Sequence, residues 1–293
     1  MQIDSPIAAK NIALQASDSF NIEQATFIFD SEIRFKKLNA YSIACIGKID
    51  NAEEIINSTF ALDKINLLRG SFVLFIIDKP RLYYYISLTG HIPGYIIQQE
   101  NQLFITSELK ALKHTSHFIR RMMPIESYQY EYTSNTPQTF SFIQDCERAI
   151  PGVLYEISLD SASTTKTTTL KKITSNPIAM DFEVAKKELF HLLDDAVNIS
   201  TSNDKPVALA LSGGVDSGTI LGLLSKHHKK IHTFSIGTEF GNEYEKAKIS
   251  ADYCQSEHHE IFIDEEAFFE GFLHSVYYNE LCDPLYAEGY VAF

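Results

Sequence analysis

The chain has 293 residues, 45% of them hydrophobic and 12% aromatic, which is enough for two globular cores and too apolar for a disordered protein. Its formal charge of −13 argues against nucleic acid or an anionic membrane surface as a partner, and no basic run offsets that charge. No signal-peptide pattern opens the chain and no apolar run of about 18 residues could span a bilayer, so a cytoplasmic protein is expected.

From Ala25 to about Tyr155, short β-branched or aromatic runs alternate with turn residues. Thr26–Phe29, Tyr41–Ile46, Ser71–Ile77, Tyr83–Ile86, Gly94–Ile97 and Leu103–Ile105 read as strands of a mostly antiparallel pair of sheets. Asn51–Phe60 and Glu108–His114 read as short helices between them. Ser161–Lys171 is polar and low in complexity, which predicts a linker and a division into domains 1–165 and 166–293. A helical pattern follows from Asp181. The chain then alternates strand 207–211, helix 217–228, strand 231–236, helix 243–254, strand 259–263 and helix 265–277, an order that implies a parallel sheet with right-handed crossovers. Leu285–Phe293 reads as a further helix. Cys45, Cys146, Cys254 and Cys282 are scattered without a C-x-x-C spacing, so they indicate neither a zinc site nor a disulfide framework. His258 and His259 at a strand start, and His227 and His228 at a basic helix end, read as surface or dipole-compensating residues in preference to metal ligands. Glu243 and Glu245 read equally as a solvated helix face or as site residues.

The stretch richest in chemistry is Val207–Ser217, five apolar residues followed by Ser212-Gly213-Gly214-Val215-Asp216-Ser217. The apolar run suits a parallel strand covered on both faces, and the glycines let the backbone approach a ligand where a helix start offers its N–H groups. That is an anion site. It is not a Walker A loop, because no Gly-Lys-Ser/Thr follows and no lysine stands where the terminal phosphates would be gripped. Ser212 and Ser217 can donate hydroxyl hydrogen bonds, and Asp216 beside phosphate makes sense if it holds a Mg²⁺. The plainer alternative is a Gly-rich turn with Asp216 as a helix cap.

Ser-Gly-Gly-x-Asp-Ser resembles the pyrophosphate-binding loop of the ATP pyrophosphatase superfamily, and its neighbours resemble asparagine synthetase. Thr233–Gly237 resembles that family's second strand, Glu257–Glu260 the opening of its third, and Glu280–Pro284 its acidic-Pro segment. The resemblance implies ATP and Mg²⁺ as cofactors. It assigns Leu211, Ser212, Gly213, Gly214, Val215, Asp216, Ser217 and Ile236 to nucleotide binding, with Asp216 on the metal and no side chain named as catalytic. Earlier in the chain, Gly70–Asp78, Gly90–Tyr95, Leu103–Leu112 and Ile150–Gly152 resemble four successive motifs of class II glutamine amidotransferase domains. The implied fold is α/β: an N-terminal-nucleophile-hydrolase-like αββα sandwich, then an incomplete doubly wound parallel sheet of the adenine nucleotide α-hydrolase type.

Glutaminase chemistry in that family needs a cysteine with a free α-amino group, directly after the initiator Met. Residue 2 is Gln2, the family's arginine appears as Ile86 or Ser87, and its Asn-Gly-Glu segment as Ile46-Gly47-Lys48. The expectation is a first domain that keeps the fold and not the reaction. The expected function is an ATP-dependent ligase that activates a small-molecule or peptide carboxylate as an acyl-adenylate, for asparagine synthesis or, closer in pattern, lactam formation. The family's Ser-Gly-x-Gly-x-Asp-Glu loop is absent from these residues, so the other expectation is a truncated, non-catalytic nucleotide- or partner-binding remnant. A homodimer, or completion by another chain, would then supply the rest.

Overall fold

The computed structural model describes residues 2–3, 18–22, 25–29, 33–38, 41–57, 60–99, 102–114, 121, 141, 143–171, 177–201 and 205–280; up to residue 37, and at Asn279, it gives the backbone course alone. The helix expected at Leu285–Phe293, the segment around Asp283 and Cys282 lie outside them. The chain divides into two compact units, Met1–Ser175 and Asn176–Phe293.

The first unit contains β1 (Gln2–Ile3), β2 (Asp18–Ile22), β3 (Ala25–Phe29), β4 (Ile33–Lys37), β5 (Ser42–Ile49), α1 (Ala52–Ile55), β6 (Gly70–Asp78), β7 (Arg81–Ile86), β8 (Tyr95–Gln99), β9 (Gln102–Thr106), β10 (Cys146–Arg148), β11 (Val153–Ser158) and β12 (Ser163–Thr169). They form two six-stranded sheets, β10-β8-β9-β1-β3-β2 and β12-β11-β7-β6-β5-β4. Every pairing in both is antiparallel. Alternate residues of a strand face opposite ways, and the buried clusters follow that rule. Val73, Phe75, Tyr84, Ile86, Tyr155 and Ile157 of one sheet meet Ile96, Leu103 and Ile105 of the other in a shared core. Leu74, Ile76, Tyr83 and Tyr85 turn the other way and are covered by Ile56, Phe60, Ile65 and Leu68. Ile97, Phe104 and Cys146 are covered by Leu112. The result is two sheets face to face with helical turns outside each.

Three expectations change. The helix expected over Asn51–Phe60 is a single turn, α1, followed by a 3-10 turn at Leu62–Leu67, and Glu108–His114 is a 3-10 turn over Leu109–His114. Ser161–Lys171 is not a linker: Ser163–Thr169 forms β12, which pairs antiparallel along the whole of β11. Its Thr-rich sequence suits a strand at the sheet edge, where one face is solvated and hydroxyls cost nothing.

The second unit contains α2 (Phe182–Ser200), β13 (Val207–Ala210), α3 (Val215–His227), β14 (Ile231–Thr238), β15 (Gly241–Asn242), α4 (Tyr244–Cys254), β16 (Glu257–Phe262) and α5 (Glu265–Asn279). β14 lies between β13 and β16, parallel to both, and turns back through the short antiparallel β15. Val207, Leu209, Leu211 and Ile231 pack with Val197 of α2, Leu221 and Leu224 of α3, and Ala247 and Ala251 of α4. Only that face of β13 is packed: Ala208 and Ala210 are exposed, so the expected burial on both faces is not found among the described residues.

Candidate functional site

The loop Leu211–Gly214 links the C-terminal end of β13 to α3. Its first residue is fixed to the neighbouring strand: the Leu211 N–H donates to the Phe234 carbonyl at 2.8 Å, and the buried Ser235 hydroxyl donates to the Leu211 carbonyl. The Leu211 side chain is 1% exposed and belongs to the core. Leu211 therefore supports the loop from below, with its side chain and both backbone groups engaged.

Gly213 has φ +73°, and a Cβ there would stand 2.6 Å from the Lys246 Cβ and 2.8 Å from the Ala247 nitrogen. Glycine is required at this position twice over, by its left-handed backbone and by the first turn of α4 lying against it. Gly214 is different. It is the N-cap of α3 at φ −78°, with only the Ser212 Oγ, at 3.3 Å, near a would-be Cβ, so its backbone needs no glycine.

The hydroxyls of Ser212 and Ser217 lie 3.2 Å apart, the Ser212 N–H donates to the Ser217 Oγ at 3.3 Å, and the Gly214 N–H donates to the Ser212 Oγ at 3.4 Å. These bonds fold the loop back over the helix start and hold both hydroxyls on one side. Among the described residues no side chain caps α3, whereas α2 and α5 are capped by the carboxylates of Asp181 and Asp264. The start of α3 therefore carries N–H groups without a side-chain cap, at the positive end of the helix dipole. Asp216 is exposed and stands one residue inside the helix, so it is not the cap of the plainer alternative. As an exposed oxygen donor beside an anion cradle it fits Mg²⁺, which takes one or two carboxylates together with phosphate oxygens. Val215, 83% exposed, contributes backbone alone. Ile236 is half-buried at the end of β14 and pairs with Ile261; continuing the register of Ala210 with Phe234 sets it level with Ser212.

Lys246 is the residue that sequence reading missed. It comes from the first turn of α4, its Cβ is the group nearest to Gly213, and its exposed ammonium lies 3.6 Å from Glu243. A lysine is thus beside the loop after all, delivered from another element some thirty residues on. Only the tight packing of Gly213 against α4 reveals it. Glu243 and Glu245 are both exposed at the start of α4. Nearby, the Tyr244 hydroxyl donates to the Ile261 carbonyl at 2.6 Å, and burial, with the Glu260 charge, raises its pKa, so it remains a donor.

A glycine turn and an uncapped helix start at the carboxyl end of a parallel strand make an anion cradle in an α/β unit. Residues 188–291 match the family described as "Asparagine synthase". Asparagine synthetase (glutamine-hydrolysing) 1 of Bacillus subtilis is 27% identical over 199 residues, 65% of this chain and 30% of that protein. The glutamine-hydrolysing asparagine synthetase of Mus musculus is 34% identical over 92 residues, 29% of this chain and 16% of that protein. The match to that family lies in the second unit, and the chain spans less than a third of the length of these relatives. The NH3-dependent NAD synthetase from Campylobacter jejuni shares 23% identity at a TM-score of 0.24, covering 33% of this chain and 42% of that one, a likeness too slight to bear on the fold.

Among the described residues no helix is long and apolar enough to cross a membrane.

Proposed function

We propose that the second unit is the ATP-binding half of an amide-forming ligase of the adenine nucleotide α-hydrolase type. The observation that carries this reading is the uncapped start of α3, with two hydroxyls folded over it and Gly213 seated against α4. The backbone of Gly213–Ser217, with the Ser212 and Ser217 hydroxyls, holds the β- and γ-phosphates. Lys246 adds a cation from the side, and Ile236 lies level with the loop for the nucleoside. Asp216 would hold Mg²⁺, which when bound offsets charge on the departing pyrophosphate. A substrate carboxylate oxygen forms a bond to the α-phosphorus as the bond from that phosphorus to the bridging oxygen breaks, and pyrophosphate leaves. An amine nitrogen then attacks the acyl carbon, loses its proton to solvent, and AMP departs with the bonding pair.

The first unit on this reading is an N-terminal-nucleophile-hydrolase-type sandwich that does not release ammonia from glutamine. Cys45 is 6% exposed within β5. Where the family's arginine is expected, Ile86 and Ser87 are buried, and the Ser87 hydroxyl accepts from the Phe72 N–H. The amine therefore comes with the substrate, as in lactam formation.

Two measurements test these proposals. Titration of the chain with ATP should show Mg²⁺-dependent binding, and Asp216→Ala should weaken it mainly when Mg²⁺ is present; equal loss with and without Mg²⁺ removes the metal role. Ammonia release from glutamine should be absent, and measurable release would overturn the inactive-domain reading.

A further inference from the structure

The sheet of the second unit carries another constellation, near the amino-terminal ends of its strands. His232 is second in β14 and Glu257 first in β16, and the parallel register pairs them directly, then pairs Phe234 with His259. Residues paired in this way and residues two apart share a face. His232, Glu257 and His259 therefore rise together from the face opposite to the one that Thr233 and Ser235 bury. The His232 Nδ1 lies 3.3 Å from the His259 Nε2 and 3.5 Å from a Glu257 carboxylate oxygen. The other oxygen of Glu257 is 3.7 Å from the His259 Nε2. All the ligand atoms fall within 4.8 Å of one another.

We propose that His232, Glu257 and His259 bind one divalent transition-metal ion, Zn²⁺ foremost, as a three-ligand site with its fourth position open to water. A tetrahedral zinc with bonds of about 2.0–2.2 Å separates its ligand atoms by roughly 3.3–3.6 Å, which is close to the spacing found here before any adjustment. Two imidazoles and one carboxylate suit Zn²⁺, Co²⁺ or Ni²⁺ and disfavour Mg²⁺ and Ca²⁺, which take oxygen. The ring centres are 5.6 Å apart with planes 19° from parallel, so the rings meet nearly edge to edge with the facing nitrogens within hydrogen-bond distance. A metal sits between the two nitrogens, displaced toward Glu257, and each ring pivots slightly to meet it. His259 is held for this by Phe234, whose ring stacks on it at 4.8 Å and 17°. Glu257, 60% exposed, is free to close on the ion.

This site is separate from the Mg²⁺ of the proposed reaction. Ile236 is four residues along β14 from His232, roughly 13 Å at the usual rise. The ion ties β14 to β16 and acts on stability, not on phosphate.

The experiment is titration of the untagged chain with Zn²⁺ alone, followed by calorimetry and by the visible absorption of Co²⁺ as a replacement ion. Wild type should bind one equivalent and show the intense bands of tetrahedral Co²⁺. His232→Ala and His259→Ala should each weaken binding by at least about 100-fold, the upper end of the loss seen on removing even an outer-shell partner. Glu257→Gln, at an exposed position, keeps the fold and should still weaken binding and abolish the rise in melting temperature that saturating Zn²⁺ gives wild type. His227→Ala, on another element, should bind as wild type does. Absence of a saturable site in wild type, an unchanged affinity in Glu257→Gln and His232→Ala, or an equal loss in His227→Ala would overturn the assignment.

Discussion

Gly213 carries more of the loop's geometry than any other residue, and the comparison with Gly214 can be measured. Gly213→Ala combines a positive φ with a clash against the backbone of α4, so it should cost about 2–4 kcal/mol in urea unfolding. Gly214→Ala meets neither obstacle and should cost less than about 1 kcal/mol. Equal losses would mean that the loop is not held by its contact with Lys246 and Ala247. His258 supplies the pH dependence. It faces inward from β16, takes Thr233 through Nδ1, and leaves Nε2 buried without a hydrogen-bond partner among the described residues. Burial lowers its pKa, with His259 and Lys248 adding to the effect and Glu260 and Asp252 opposing it. The unfolded chain then takes up this proton at about pH 6.5 while the folded one resists, so stability is complete above that pH and falls as pH drops below it. The melting temperature of wild type should drop more between about pH 7.5 and 5.5 than that of His258→Asn, and parallel profiles would refute the assignment. The phosphate loop is legible in the sequence because its chemistry is contiguous. Lys246 and the trio of His232, Glu257 and His259 are not, because only strand register and helix packing bring residues some 25 to 33 positions apart into contact.

At the scale of elements, periodicity locates the alternation of the second unit because its inward stripe is continuous. Leu221, Leu223 and Leu224 on α3 are at most 3% exposed and pack on Val197, Ala247 and Ala251. Leu221→Ala should therefore destabilise by about 2–5 kcal/mol, a cavity in a site enclosed by α2, α4 and strands β13 and β14. Asp264→Ala removes the carboxylate that accepts from the Ala267 N–H at 2.9 Å, and should cost about 1 kcal/mol. Chemical denaturation of both variants checks the ranking, and a cap change that costs more than the cavity would sink it. β4 and β12 escape a sequence reading for a common reason. Ile33–Lys37 and Ser163–Thr169 are the outermost strands of one sheet, where charged and hydroxyl side chains are tolerated, and a search for apolar runs passes over them. The single turn of α1 reads as a longer helix because the apolar residues after it, Ile56 and Phe60, are buried without being helical.

At the scale of the molecule, the two units differ in how completely they bury their apolar residues. Both faces of the sheet β12-β11-β7-β6-β5-β4 are covered, and one of its core positions after another falls below 3% exposure, among them Phe72, Leu74, Ile76, Leu82 and Ile86. In the second unit, Phe182 (74%), Leu189 (58%) and Leu192 (60%) of α2, with Phe269 (58%) and Leu273 (70%) of α5, face solvent. Along β13, Ala208 and Ala210 are exposed, and among the described residues the strand lies at the end of its sheet with one edge unpaired. Large apolar residues on several elements, next to an open strand edge, favour contact with another chain. The net charge of −13 opposes close approach, and salt screens that repulsion while leaving the apolar attraction in place. Self-association of the 293-residue chain should therefore increase with ionic strength. Light scattering at low and at about 1 M salt should show larger particles in high salt, and Leu189→Glu with Leu192→Glu should reduce them without changing far-UV circular dichroism. A chain that stays monomeric at both salt concentrations would show that these surfaces do not drive association.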